Sequence, residues 1–421
     1  MGMRFVLNGF GYITIATIGL IVFSIIDGIK GDEYLTDSIN WSLAIKDIGF
    51  FKVWMWPFTH LFFQAANLWV YIGLFMMKDK ALAFWLFYFK SLETLLQNLI
   101  KLAYFDTRPC FLNQELADMG CSCSFGKISG HASTTFFFYL FILTEYLLPL
   151  KRKVWLKILF SFLTIVMIFF VGMSRIFYGS HSWNQVLLGW FWGFWIWALS
   201  RSLWYYFGED FIVFIESGYD KKTAKVWFLL SGFLSLLGLT IASIVLWRVR
   251  VDNELSGDFQ ISTSCFEKCM KNDRRMSDSH IQSIGNSEAA MSITFLWLFF
   301  DLAQTIYNQK FYSESFRPFL AFLTRFTIFL IVGTPVIIAF SVSGVLKGDA
   351  QFGFSMGLSL IFAILFLKFM PWALTRVKVG VSGDWFLGNP FAAGGKTSDA
   401  EMKNFVGLIS QKSKDILSKD L

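Results

Sequence analysis

The residues that could carry out chemistry in this 421-residue chain fall in three short blocks. In chain order, the blocks are Lys101-x6-Arg108-Pro109, Ser129-Gly130-His131-Ala132 and Ser174-Arg175-x5-His181-x3-Gln185. They combine fixed positive charges, imidazole rings, a glycine and a hydroxyl. This combination suits the hydrolysis of a phosphate ester, because cations stabilise a phosphoryl group and imidazoles can attack it or transfer protons.

Each residue type has a part in that chemistry. Lys101, Arg108 and Arg175 can bracket a phosphoryl dianion, and the guanidinium groups offer paired N–H donors. Ser129 and Gly130 precede a helix whose first N–H groups favour negative charge, and a glycine lets an oxygen approach the backbone. One histidine can attack phosphorus, while the other protonates the leaving oxygen and then activates water. The residue types alone leave open which histidine does which.

We expect this chemistry to need neither a metal ion nor an organic cofactor. The blocks contain a single carboxylate, Asp106, which is too few for a two-metal site, and their cations already neutralise a phosphate. Zinc binding by Cys265-x3-Cys269 and His280 is disfavoured by the ligand spacing. We therefore interpret His280 as a loop residue and His60 as an interfacial or packed residue.

Composition indicates which elements position the blocks. The chain is 55% hydrophobic, 19% aromatic and 16% charged, with a mean hydropathy of +0.53. These values exclude a disordered chain and argue against an ordinary soluble enzyme. Apolar runs lie near residues 8–27, 56–77, 81–101, 131–149, 154–172, 183–206, 225–247, 291–308, 320–342 and 352–375. Because a membrane span takes about 20 apolar residues, the sequence predicts an all-α, polytopic transmembrane helical bundle of about 9–10 spans in the lipid bilayer.

Loop charges predict which side of the membrane carries the blocks. Short basic loops such as Lys151-Arg152-Lys153 and the basic tail 376–421 favour cytosolic termini. These loops account for the net charge of +7, so no nucleic-acid partner is expected. All three blocks and all five cysteines fall on the opposite side, which is luminal or extracellular. The sequon Asn40-Trp41-Ser42 lies there too, which makes Asn40 a predicted glycosylation site.

The three blocks resemble the pattern of the type 2 phosphatidic-acid phosphatase superfamily, which is KX6RP, PSGH and SRX5HX3D. The resemblance implies a six-helix phosphatase-like core within the bundle. It implies that His181 is the nucleophile and that His131 is the general acid and base. The phosphate-binding residues that it implies are Lys101, Arg108, Ser129, Gly130 and Arg175.

Two positions depart from that pattern. Ile128 replaces the proline of the second block, which should only loosen the turn. Gln185 replaces the aspartate that orients the nucleophilic imidazole in the family. We expect the Gln185 carbonyl oxygen to orient His181, but without the negative charge that would stabilise a developing imidazolium.

The glutamine narrows the resemblance to the glucose-6-phosphatase branch, whose local sequence is similar to LQNLIKLAYFDTRP, SGHA and SRIFYGSHSWNQVLLG here. This branch implies hydrolysis of glucose 6-phosphate to glucose and phosphate through a phosphohistidine. It also implies a multi-pass protein of the endoplasmic reticulum with a luminal active site, and a sugar-phosphate transporter as a partner.

The predicted organisation is an added N-terminal span and luminal segment over 1–45, a membrane phosphatase domain over 46–375, and a cytosolic tail over 376–421. Two other functions stay open. The same machinery could act on a lipid phosphate, or the chain could be a catalytically silent structural subunit of a membrane assembly. The small phosphorylated substrate is thus expected to be a sugar phosphate, with a lipid phosphate as the alternative.

Overall fold

The computed structural model describes residues 9–60, 80–120, 124–148, 153–216 and 237–252, together with positions 280, 283, 284 and 327. Within these residues the chain is helical and contains no strand, which confirms the all-α fold class. The predicted spans near 291–308, 320–342 and 352–375, and the tail, lie outside the described residues apart from position 327. The number of spans and the domain boundaries therefore stay predictions.

The described helices connect the three blocks in chain order. They are α1 (Gly9–Ile45), α2 (Gly49–His60), α3 (Lys80–Tyr104), α4 (Pro109–Leu112), α5 (Gln114–Gly120), α6 (Gly130–Ile142), α7 (Val154–Phe177) and α8 (Trp183–Glu216). A π-helical turn, Leu143–Leu147, continues α6, and residues 237–252 are also helical.

Two of these helices are long and apolar enough to cross a membrane, judged among the described residues. They are Gly11–Ile45 within α1 and Val154–Phe177, which is α7. Both expose apolar side chains such as Ile18 and Ile25 on α1 and Phe162 on α7, as expected for surfaces in contact with lipid. At 37 residues α1 is about 55 Å long, which is more than the roughly 30 Å that crossing a hydrocarbon core requires.

The crossing of α6 and α8 brings the second and third blocks together. A side chain at Gly189 would lie 2.7 Å from the Ser129 carbonyl oxygen, and one at Gly193 would meet the Ser133 carbonyl oxygen. Glycines on α8 therefore let the two backbones approach closely, which is how small residues act between membrane helices. The close contact between α6 and α8 places His131, at the start of α6, near the first turn of α8.

Each block lies at the end of a helix. α3 ends one turn beyond Lys101, and α4 begins with Pro109, whose fixed φ suits a first helical position. α7 ends just after Arg175, and the turn that follows contains Gly179 with φ of +60°. The backbone N–H groups of Ser180 and His181 both donate to the Arg175 carbonyl oxygen, so this turn fixes His181 relative to α7.

The N-terminal helix α1 packs extensively against α8 and bonds to the same turns. The buried carboxylate of Asp27 pairs with Lys127 and accepts a hydrogen bond from Asn184 Nδ2 at 2.7 Å. Farther along α1, Ser38 Oγ accepts from the Trp183 N–H and Ser42 Oγ donates to the Ile176 carbonyl oxygen. The helix predicted as an added span is thus part of the support of the third block.

Candidate active site

The structure brings residues from all three blocks into one cavity of about 320 Å³. The predicted residues that line it are Lys101, Arg108, Gly130, His131, Arg175 and His181. Gln185 lies directly behind His181, and Ser129 is buried at the N-terminus of α6. We refer to the part of the cavity formed by the lining residues of the blocks as the phosphate end.

Arg108 and His181 are in direct contact at the phosphate end. Arg108 Nη1 lies 2.9 Å from His181 Nε2, and both side chains are only 2% exposed. A guanidinium group can only donate, so Nε2 carries the lone pair. The neutral ring of His181 must then hold its proton on Nδ1.

The remaining donors of Arg108 bind loop oxygens and so fix the plane of the guanidinium group. Nη1 also donates to the Ser180 carbonyl at 2.6 Å, and Nη2 donates to Ser124 Oγ at 2.6 Å and to the Phe125 carbonyl at 3.0 Å. Nε donates to the Ser124 carbonyl. The arginine is thus held rigidly before any substrate arrives, as transition-state stabilisation requires.

Gln185 is in hydrogen-bond contact with His181, and its orienting role stays a prediction. Its Oε1 lies 3.1 Å from His181 Nδ1 and accepts the proton assigned to that nitrogen. On its other side, Gln185 Nε2 donates to Asp106 Oδ2 at 3.0 Å and to the Thr107 carbonyl oxygen at 2.6 Å. The Asp106 carboxylate therefore contacts the side of Gln185 that faces away from His181, and the sequence analysis did not predict this contact.

Electrostatics keeps the ring of His181 neutral. Burial, followed by the charges of Arg108 and Arg175, holds the pKa of His181 well below its ordinary 6.5. Burial also lowers the pKa of Arg108 to about 10, which leaves the guanidinium charged at neutral pH. The site thus presents a neutral imidazole beside a cation, which is the combination that attack on a phosphoryl group needs.

The other two cations approach from α3 and α7. Lys101 and Arg175 are both buried and line the cavity. With its amide nitrogen turned toward Glu93, Gln97 accepts from Lys101 Nζ at 3.0 Å. Arg175 Nε has no hydrogen-bond partner among the described residues, so a buried donor remains for an anion.

The N-terminus of α6 also faces the cavity through Gly130 and His131. The Ser129 N–H donates to the Gln185 carbonyl oxygen at 3.0 Å, which ties the second block to the third. Ser129 Oγ is buried, makes no capping bond and has no partner among the described residues. The hydroxyl and the first N–H groups of α6 are donors of the kind that can bind an anion at a helix N-terminus.

The cavity continues along α3, away from the phosphate end. Lys90, Thr94, Gln97 and Thr134 line this part, which we call the inner end. Lys90 lies about 16 Å before Lys101 along the helix axis. The inner end is therefore a polar part of the cavity that extends between helices.

A fully buried carboxylate organises the polar groups of the inner end. Glu93 accepts hydrogen bonds from Ser133 Oγ and, at 3.0 Å, from Thr134 Oγ. Its pairing with Lys90, at 2.8 Å, agrees with the three-residue spacing of these two groups. The contacts hold the hydroxyls and amides of α3 and α6 in fixed positions.

His280 lines the cavity, so the sequence interpretation, which gave it no role beyond a loop position, is incomplete. It is buried, and its Nδ1 lies 2.8 Å from Asn98 Oδ1. Its Nε2 accepts from the Phe125 N–H at 2.9 Å, and its ring stacks on that of Phe125. No local pattern could reveal this residue, because its partners are 155 and 182 positions away.

Several other predictions are tested weakly or not at all by the described residues. No group of three His, Cys, Asp or Glu side chains gathers there in a way that could hold a metal ion. Independence from metals and cofactors stays a prediction. Asn40 is exposed on α1, and its glycosylation stays a prediction. His60 is exposed and contacts the ring of Trp56, as its interfacial interpretation expects.

Comparison with known families agrees with the chemistry of the cavity. Residues 82–209 match the family model described as the PAP2 superfamily. This segment runs from α3 into α8 and contains all three blocks, so the resemblance to that superfamily is confirmed for this part of the chain. No curated protein and no solved structure matches.

Members of the PAP2 superfamily are phosphatases, and their fold is a helical membrane fold. The match therefore supports phosphatase activity on a phosphate ester. The two apolar helices and the family are both consistent with a membrane protein. Neither α1 nor His280 lies in the matched segment.

Proposed function

We propose that this protein is a membrane-embedded phosphomonoesterase that hydrolyses a sugar phosphate through a phosphohistidine on His181. The expected substrate is glucose 6-phosphate. The observation that carries the proposal is the state of His181. Its Nδ1 proton is held by Gln185, and its Nε2 lone pair faces a cavity with three cations. This arrangement suits nucleophilic attack on phosphorus.

In the first step, Nε2 of His181 forms a bond to phosphorus while the bond from phosphorus to the ester oxygen breaks. Arg108, which donates to Nε2 in the free site, transfers that hydrogen bond to a phosphoryl oxygen. His131, at the start of α6, gives its proton to the leaving oxygen. In the second step, His131 takes a proton from water, the water oxygen binds phosphorus, and the bond between phosphorus and Nε2 breaks.

The cations stabilise the charge that spreads over the phosphoryl oxygens in both steps. Arg108 is fixed by loop oxygens, Arg175 keeps an unpartnered Nε, and Lys101 reaches the same cavity. Ser129 and the first N–H groups of α6 complete the cradle. Preorganised donors of this kind usually make the largest single contribution to rate.

The inner end favours a polar leaving group. Its wall offers the side-chain oxygens of Thr94, Thr134 and Gln97. The donors of these groups are used within the protein, but each oxygen can still accept a hydrogen bond from a sugar hydroxyl. Acyl chains offer no donor to these oxygens. This argument favours a sugar phosphate over a lipid phosphate.

Location and partners follow from the loop charges and from the resemblance to the glucose-6-phosphatase branch. The proposal places the protein in the membrane of the endoplasmic reticulum, with both termini cytosolic and the phosphate end facing the lumen. A sugar-phosphate transporter would then deliver the substrate. Glycosylation mapping tests this orientation, since new sequons in 109–127 should be modified and new sequons in 151–153 should not.

The decisive experiment compares substrates on the purified protein in detergent. We expect phosphate release from glucose 6-phosphate to exceed release from phosphatidate at least tenfold in kcat/KM. A preference for phosphatidate would establish the lipid-phosphate alternative. No release from either substrate, with the protein folded, would establish a silent subunit.

A further inference from the structure

A carboxylate stands behind the nucleophile at a variable position of the first block. Asp106 Oδ2 accepts from Gln185 Nε2 at 3.0 Å, and Gln185 Oε1 accepts from His181 Nδ1 at 3.1 Å. We propose that Asp106 is a positioning residue that acts through Gln185, so that the carboxylate, the amide and the imidazole form one relay. The inference rests on the proposed function, because it assigns a role in the same reaction.

The amide needs such an anchor if it is to orient the ring. The two ends of a glutamine side chain have nearly the same shape, and the flipped amide would set its N–H against the N–H of the ring. Asp106 and the Thr107 carbonyl can only accept, so they hold Nε2 of Gln185 on their side. Oε1 is thereby left to His181, and the ring keeps its lone pair on the attacking nitrogen.

The relay also supplies the charge that Gln185 lacks. Attack through Nε2 makes the ring cationic, and a hydrogen-bonded chain that ends in a carboxylate polarises toward that cation. Asp106 is fixed in turn, since its backbone carbonyl accepts from the Gly126 N–H at 2.8 Å. Lys127 and Asp27 also face this carboxylate, and burial raises the pKa of Asp106 while Lys127 lowers it.

Asp106→Asn tests the role directly. We expect kcat to fall about tenfold, as loss of a group that supports a functional histidine often does. The inhibition constant of vanadate should change less than twofold, because the cations that bind it are untouched. Asp32→Asn, which alters an exposed carboxylate on α1, is the matched control and should leave both values unchanged.

A double variant separates positioning from general structural support. Gln185→Asp sets a second carboxylate against Asp106, and we expect this single variant to be much less active than the wild type. Gln185→Asp combined with Asp106→Asn should recover at least fivefold in kcat over Gln185→Asp alone. A structural role predicts that the two losses add, and additive losses would overturn the relay.

Side-chain NMR of 15N-labelled histidine in detergent provides a measurement that needs no turnover. We expect His181 to hold its proton on Nδ1 in the wild type and to lose this preference in Asp106→Asn. An unchanged tautomer and an unchanged kcat would overturn the inference. An inactive wild type whose tautomer depends on Asp106 would instead overturn the proposed function and leave the relay standing.

A second inference comes from separate contacts. His280 lies outside the matched segment, and its Nε2 accepts the N–H of Phe125, whose carbonyl oxygen in turn accepts from Arg108. Asn98 Nδ2 donates to the Thr94 carbonyl, so its Oδ1 accepts the Nδ1 proton of His280. We infer that His280 positions Arg108 through Phe125, and this inference also rests on the proposed function.

Two substitutions at position 280 distinguish the two ring nitrogens. Gln can place an acceptor where Nε2 lies, whereas Asn reaches only the position of Nδ1. We expect His280→Gln to bind inorganic phosphate within twofold of the wild type and His280→Asn to bind it about fivefold more weakly, as measured by thermal shift. Equal affinities for both variants, whether strong or weak, would overturn this role. This assay measures phosphate binding, so it tests the role of His280 even if the protein turns over no substrate.

Discussion

The phosphate end and the inner end of the cavity are built in different ways. At the phosphate end, functional groups lie at helix ends and in turns, and backbone carbonyls fix them, as the contacts of Arg108 show. At the inner end, polar side chains lie on the faces of α3 and α6 and hold one another through Glu93. The first arrangement positions reacting groups and the second presents hydrogen bonds to a leaving group. Changes at the phosphate end should therefore lower kcat, and changes at the inner end should raise KM.

The largest effect should come from His181→Ala. Since Nε2 of this ring is the proposed nucleophile, turnover and formation of a covalent phosphoenzyme should both disappear. Labelled substrate should form an acid-labile, base-stable adduct on the wild-type protein and no adduct on the variant. Label recovered on Ser129 would contradict the assignment and move the covalent step to the N-terminus of α6.

A smaller loss is expected from Gln185→Leu. Leucine cannot accept the Nδ1 proton, so the attacking tautomer is no longer favoured and kcat should fall by about 10–100-fold. KM should change less than threefold, because the cations remain in place. Steady-state kinetics in one detergent measures both values, and wild-type kinetics in this variant would reduce Gln185 to a packing residue.

Changes at the inner end should raise KM rather than lower kcat. Thr134→Val removes a hydroxyl that lines the cavity while preserving shape, and loss of one such hydrogen bond is worth about 0.5–1.5 kcal/mol. We expect KM for glucose 6-phosphate to rise about 2–10-fold with kcat within twofold. Thr164→Val, which alters a buried threonine on α7, is the control. A fall in kcat without a change in KM would show that both ends serve the chemical step.

The acidic limb of the pH profile should report His181. Protonation of Nε2 would abolish attack, so activity falls as pH drops through the pKa of His181. Because that pKa is lowered, this acidic loss of kcat/KM should appear only below the ordinary value for histidine. The alkaline limb should instead follow loss of the His131 proton that the leaving oxygen needs. The rates must be corrected for the substrate phosphate, which titrates near pH 6. An acidic midpoint above the ordinary pKa of histidine would contradict the lowered pKa of His181.

The smallest effect is expected from metal removal. The three cations of the phosphate end already neutralise a phosphate dianion, so excess chelator should leave kcat and KM unchanged. Loss of activity that Mg²⁺ restores would show that part of the site relies on a metal.

The sequence could indicate which residues gather at the phosphate end, because they lie in fixed spacings at helix ends. Such spacings survive in a linear pattern, and the structure brings Lys101, Arg108, His131, Arg175 and His181 to one cavity. The all-α class follows equally from composition. Both rest on local properties of the chain.

The supporting contacts could not be predicted from the sequence. Asp106 occupies a position that the pattern leaves variable, and only the turn between α3 and α4 shows that it meets Gln185. His280 reaches the cavity from another part of the chain. The polar character of the inner end depends on which faces of α3 and α6 meet, and helical periodicity alone does not determine this pairing.

The bonds of α1 have a consequence for biosynthesis. Asp27 is made early, but its partner Asn184 follows 157 residues later, after most of the matched segment. Because a chain is synthesised from its N-terminus, this carboxylate can pair with Lys127 before the first turn of α8 supplies Asn184. Attachment of α1 to the turn that carries His181 is therefore a late assembly event, and a chain that stops before α8 lacks this second partner of Asp27.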